Sequence, residues 1–114
     1  MSTLNLETFR KGQDFAKIVV ENINDSVSPW HSVDVCKQIL AEKGFTELSE
    51  ADKWDLTAGG KYMTTRNGST IIAFTIGKGA ATAPIEAFKI VGCHTDSPCL
   101  RMAPKSDAPF LGYE

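Results

Sequence analysis

A change of hydrophobic period near residue 61 constrains the fold of this chain more than any other feature. Before it, apolar residues recur at helical spacing; after it, the pattern turns to runs of Thr, Ile, Tyr and Phe. Residues 5–24 read as a helix, with Phe15, Ile18, Val19 and Ile23 on one stripe and Lys11, Asp14, Lys17 and Glu21 on other faces. Asn24-Asp25-Ser26 breaks it. Ser28-Pro29 opens a second helix, Ser as N-cap and Pro at the first helical position, where no backbone donor is needed. Val33, Cys36, Ile39 and Leu40 form its apolar stripe, and Gly44 suits a left-handed C-terminal cap. Phe45 and Leu48 are packing candidates in the connector that follows.

Past Lys61, residues 62–66 and 70–76 read as two strands separated by Asn67-Gly68, a dipeptide that tolerates the positive φ angles of a tight hairpin turn. Residues 77–86 are small and contain Pro84, which predicts a surface loop. Residues 87–93 form an apolar run broken only by Lys89, short enough for a central strand. The order helix, helix, strand, strand, strand places the chain in the α/β class, with both helices packed on the sheet. The segment from Met102 to Glu114, with Pro104, Pro109 and Gly112, reads as cut rather than finished, and Phe110 and Leu111 as an exposed apolar edge.

Composition narrows the function. The net charge is −2, and Lys and Arg form no cluster, so a nucleic-acid or anionic-membrane partner has no electrostatic support. No apolar run approaches the roughly 18 residues a membrane helix needs. Residues 1–10 lack the basic and apolar regions of a secretory signal. The three cysteines, Cys36, Cys93 and Cys99, have no disulfide-framework spacing and are expected to be reduced thiols in a cytoplasmic protein.

The chemistry-bearing stretch is Val91-Gly92-Cys93-His94-Thr95-Asp96-Ser97-Pro98, in which the third expected strand ends in a polar loop, His94 to Pro98, at its carboxyl end, where α/β sheets gather ligands and catalytic groups. A neutral imidazole binds zinc through one ring nitrogen and needs its other N–H oriented by a carboxylate or carbonyl. Asp96, two residues after His94, is placed to do that. Pro98 biases Ser97 to an extended conformation. Taken alone, a His-x-Asp pair also fits a hydrogen-bonded loop histidine. Cys93, His94 and Cys99 with Cys36 or His31 could form a structural zinc site, although the paired Cys-x₂₋₄-Cys spacing is missing. A thiol nucleophile at Cys93 or Cys99 is a further alternative; against it, Cys93 ends an apolar strand and would pack as a small hydrophobe. His31 reads as a capping or surface histidine ahead of a substrate contact. Arg66 reads as an exposed hairpin arginine ahead of one that binds an acidic substrate side chain. Asp52, Lys53, Trp54 and Asp55 read as a solvated stretch with the Trp partly covered.

The longer string VGCHTDSPCLR, residues 91–101, closely resembles the first metal-ligand segment of the aspartyl aminopeptidase family. Three further stretches resemble that family in the same order: Ser28-Pro29-Trp30-His31, Gly44-Phe45-Thr46-Glu47-Leu48, and Lys61-Tyr62 followed by Thr65-Arg66-Asn67 and residues 69–74. Met102-Ala103-Pro104-Lys105 departs from it, being less basic than the family often is. The resemblance implies a co-catalytic zinc aminopeptidase that releases amino-terminal Asp or Glu from peptides, with two zinc ions per active site. It implies His94 as a metal ligand and Asp96 as the catalytic-site carboxylate that orients it. It also implies that residues 1–114 are the amino-terminal part of an α/β zinc-exopeptidase domain. The bridging aspartate, the glutamate base and the remaining ligands lie later in the family's sequence. The 114-residue chain alone is therefore expected to be inactive. Peptide substrates and copies of itself, in a homo-oligomer, are the implied partners. The alternative is a non-catalytic α/β interaction or assembly module derived from the same family.

Overall fold

The computed structural model describes residues 5–98, 100 and 102. Its elements are α1 (Leu6–Asp25), α2 (Pro29–Glu42), β1 (Thr46–Glu47), β2 (Lys61–Arg66), β3 (Thr70–Thr75) and a short 3-10 turn at Lys78–Ala81. The α/β class and the two amino-terminal helices agree with the sequence reading.

Local chemistry sets the helix ends. The Asn5 side chain accepts a hydrogen bond from the Glu7 N–H at 3.1 Å and so caps α1. Ser28 caps α2, with Pro29 just inside it. At the other end Gly44 adopts φ +79°. The Gly44 N–H donates to the Ala41 carbonyl at 2.9 Å and the Phe45 N–H to Leu40 at 3.0 Å. This paired pattern satisfies two carbonyls that the helix end would otherwise leave without partners. The Lys61 ammonium donates to the Lys43 carbonyl at 3.0 Å, tying the same helix end to the start of β2.

The sheet has the order β1-β2-β3, with β1 parallel and β3 antiparallel to β2. The hairpin register pairs Lys61 with Thr75 and Arg66 with Thr70, and its turn holds Asn67 at φ +53° and Gly68 at φ +65°. Both residues of the Asn-Gly dipeptide thus occupy the left-handed region. β1 was not foreseen as a strand. It exists because the connector after α2 lies beside β2, and the Leu48 N–H prolongs that pairing by donating to the Met63 carbonyl at 2.7 Å.

Alternation along β2 divides the packing between two faces. Val33 of α2 and Met63 of β2 are buried, and α2 packs on β2 and β3. On the face shared by Tyr62 and Thr64, Tyr62 lies against Phe74 with ring centroids 5.6 Å apart, and Trp54 stacks on Phe74 at 6.0 Å. The Tyr62 hydroxyl accepts the Thr57 N–H at 2.9 Å, fastening the 49–60 connector to the sheet. Gly60 must lack a side chain here, since a Cβ would collide with the Tyr62 ring. Trp54 keeps partial exposure and donates its ring N–H to the Ser49 carbonyl at 2.7 Å, in keeping with the partly covered Trp expected there.

Two expectations require correction. The apolar stripe of α1 does not sink into a core: Phe15 and Ile23 stay exposed, and no residue of α1 is buried. α1 packs on α2, while α2 supplies the helix layer over β2 and β3. Residues 87–93 form no strand among the described residues, and Phe88, Ile90 and Val91 are 79%, 86% and 97% exposed. An apolar run becomes a central strand only with ladder partners and a covering layer, and the described residues provide neither there. Phe110 and Leu111 lie outside the described residues, as does the stretch 103–105.

Candidate metal centre

The 91–98 stretch follows the 3-10 turn and the Pro84-containing loop, and it returns alongside the hairpin. Near its start, Pro84 to Lys89 and Ala73 to Gly77 line a shared groove of about 590 Å³, to which Phe45, Phe74 and Phe88 contribute rings. At its end the Thr95 hydroxyl donates to the Ser69 carbonyl at 2.7 Å, across 26 residues of sequence. The segment therefore passes the carboxyl end of β3 first and reaches its amino end last, running antiparallel to that strand without bonding to it.

His94 and Asp96 lie in contact. The His94 Nδ1 lies 2.7 Å from the Asp96 backbone carbonyl and 3.2 Å from its carboxylate oxygen. A carbonyl oxygen can only accept, so Nδ1 must carry the proton. In the neutral ring this leaves Nε2 with its lone pair free, the form a metal needs. Both side chains are more than four-fifths exposed, so the ring nitrogen is open to solvent.

No group of three or more His, Cys, Asp or Glu side chains converges among the described residues. Cys93 and Cys36 are free thiols, and Cys93 is exposed rather than packed at a strand end, because the strand it was to close is absent. Cys99 and Arg101 lie outside the described residues. The donor set fits a metal to the extent of one imidazole ligand with its tautomer fixed by Asp96.

His31 is a capping histidine. Its backbone N–H donates to the Ser28 hydroxyl at 3.4 Å, and its Nδ1 lies 2.7 Å from the same oxygen. Arg66 is engaged as well. Its Nε and Nη2 donate to the two carboxylate oxygens of Glu50 at 3.1 and 2.6 Å, a forked pair that joins the connector to the hairpin. Hydrogen bonding from Arg66 is the main reason that the Glu50 carboxyl is held below its ordinary value of 4.5, and the Arg66 pKa is raised in turn. A carboxylate with a depressed folded pKa contributes stability above its unfolded pKa and loses it as pH falls through the folded value. The Glu50–Arg66 clamp is thus intact at neutral pH and released in acid, below the ordinary Glu range. In Arg66→Gln the Glu50 carboxyl is expected to titrate at higher pH than in the parent, which carbon-detected NMR would follow directly. An unchanged titration would mean that Arg66 is not its partner in solution.

Sequence reasoning missed two residues of this region. Glu50 stands 16 positions from Arg66, and Ser69 serves through its backbone, so neither carried a local signal.

The chain is similar to known proteins over most of its length. The profile of the aminopeptidase I zinc metalloprotease (M18) family matches residues 22–114. A probable M18 family aminopeptidase 2 of Clostridium acetobutylicum is 48% identical over 94 residues, covering 82% of this chain and 21% of that protein. The aspartyl aminopeptidase of Aspergillus oryzae is 46% identical over 93 residues, covering 80% of this chain and 18% of its own length. Among solved structures, the cryo-EM structure of the Ape4 and Nbr1 complex superimposes with a TM-score of 0.82 at 36% identity, covering 98% of this chain and 21% of that one. The chain spans about a fifth of the length of these relatives. With the profile covering most of its residues, the chain belongs to the M18 family of zinc metalloproteases.

Proposed function

We propose that the intact protein carrying these residues is a zinc-dependent aminopeptidase that removes amino-terminal Asp or Glu from peptides, and that His94 is one of its metal ligands. The observation that carries this reading is the His94–Asp96 pair: Nδ1–H is committed to Asp96, and Nε2 faces solvent in the metal-binding form. Family membership and the aspartyl aminopeptidases among the relatives support the reaction class and the acidic preference.

The chemistry divides between this chain and the rest of the enzyme. Zinc bound there would supply a hydroxide nucleophile at neutral pH and polarise the scissile carbonyl. Within this chain, His94 contributes one nitrogen donor, and Asp96 holds the imidazole proton on Nδ1, which leaves the Nε2 lone pair for the metal. Catalytic zinc usually takes three protein ligands, and a co-catalytic pair takes more. One imidazole cannot hold it tightly, so the 114-residue polypeptide by itself is inactive in this proposal. Two zinc ions per site, a homo-oligomer and a cytoplasmic location belong to the same reading. Neither a nucleic acid nor a membrane enters it. No helix among the described residues is long and apolar enough to cross a membrane.

The test is hydrolysis of a panel of aminoacyl substrates by the intact enzyme. Aspartyl and glutamyl substrates are expected to be cleaved well ahead of leucyl and lysyl ones. A chelator should abolish the activity, zinc should restore it, and alkylation of thiols should leave it in place. Activity that survives the chelator but not alkylation would assign the reaction to a cysteine. An intact protein that binds no zinc and cleaves nothing would instead be the assembly module.

A further inference from the structure

We propose that Thr95 is a positioning residue for the metal loop, fixing His94 against the Asn67–Ser69 turn of the hairpin through its hydroxyl. The inference rests on His94 being a zinc ligand and adds to it the part of the fold that aims the ligand.

Three observations converge on this contact. Thr95 alone in the 91–98 stretch is half-buried, while His94 and Asp96 on either side are exposed. Its hydroxyl donates to the Ser69 carbonyl at 2.7 Å, and no other hydrogen bond joins that stretch to the hairpin among the described residues. The acceptor sits in a stiff place. Asn67 and Gly68 both hold left-handed φ angles, and the Ser69 N–H donates back to the Arg66 carbonyl at 3.2 Å. Trp30, in the first turn of α2, packs so closely on Gly68 that an added Cβ would lie 3.2 Å from its ring. A line of contacts thus runs from α2 through Trp30, Gly68 and Ser69 to Thr95, the residue between the ligand and its orienting carboxylate.

The physical consequence is pre-organisation. With its exposed partners, the His94–Asp96 pair fixes the ring's tautomer but not where the loop stands. A single bond to a rigid turn removes backbone freedom that metal binding would otherwise have to freeze. The threonine hydroxyl supplies that bond while its neighbours stay free for the metal.

In the intact enzyme, zinc affinity would be measured by competition with a chromophoric chelator for the parent, Thr95→Val, Thr95→Ser and, as control, His94→Ala. Thr95→Val keeps the shape and loses the donor, and is expected to weaken one zinc site by about 2- to 10-fold, the weight of one net hydrogen bond. Thr95→Ser keeps the donor and should bind zinc as the parent does. Unchanged zinc affinity in Thr95→Val, beside a lost zinc in His94→Ala, would overturn the role of Thr95 while leaving His94 a ligand. Full zinc content in His94→Ala would overturn both.

Discussion

Replacing His94 by alanine in the intact enzyme is expected to remove one zinc ion and nearly all turnover, with little effect on the metal-free fold. The side chain is 81% exposed and its hydrogen bonds go to Asp96, two residues away. Exposed substitutions of this kind usually change stability by about 0.5 kcal/mol or less. The metal-free protein should therefore melt almost where the parent does. Zinc binding behaves differently, because a catalytic site held by about three protein ligands cannot lose one and keep its geometry. The competing view makes His94 an ordinary loop histidine bonded to Asp96. It predicts the same small change in metal-free stability, with zinc content and turnover unchanged. Metal stoichiometry and turnover measured on the same sample separate the two. Full zinc occupancy in the variant would remove His94 from the metal centre.

The parts of this fold legible in the sequence are those governed by neighbours in the chain. Ser28-Pro29 announces α2, Gly44 ends it, and Asn67-Gly68 turns the hairpin, since each acts through its own backbone angles and bonds a few residues away. The two-residue β1 was not legible. Thr46 and Glu47 are a strand only because β2, 16 positions on, accepts them as a parallel partner. Residues 87–93 failed in the opposite sense, for their apolar character describes the environment they require, whereas strand structure also requires a ladder. The stripe on α1 carries the same lesson: its spacing foretold a helix correctly and said nothing of what covers it.

The candidate site divides in the same way. His94 and Asp96 are two residues apart, so their pairing could be read from spacing and chemistry together. Thr95, lying between them, was passed over because its partner is the backbone of a turn 26 residues earlier. Arg66 was considered as a contact for an acidic side chain, and its forked grip on Glu50 shows that the guanidinium does bind a carboxylate, one belonging to this chain. Spacing alone does not identify which carboxylate an arginine will meet.

The second large effect is expected at Asp96, where the geometry contains two separable contributions. The His94 Nδ1–H is shared between the Asp96 backbone carbonyl at 2.7 Å and its carboxylate at 3.2 Å. Substitution to asparagine leaves the carbonyl in place, so the tautomer survives and Nε2 still presents its lone pair. What is lost is the negative charge, which raises the basicity of the imidazole toward a cation. Outer partners of metal ligands usually contribute about 10- to 100-fold in metal affinity or activity. With the shorter bond retained, Asp96→Asn should fall near the lower end, at about 10-fold, and mainly as weaker zinc affinity. Excess zinc should then restore most of the turnover. The longer contact is also the more solvent-exposed one, since the Asp96 side chain is 83% exposed, and water would weaken its electrostatic share. A different result is equally measurable: a loss of turnover far beyond 100-fold at saturating zinc. That outcome would mean that the Asp96 carboxylate acts on the reacting groups themselves, and that orienting His94 is the task of its backbone carbonyl.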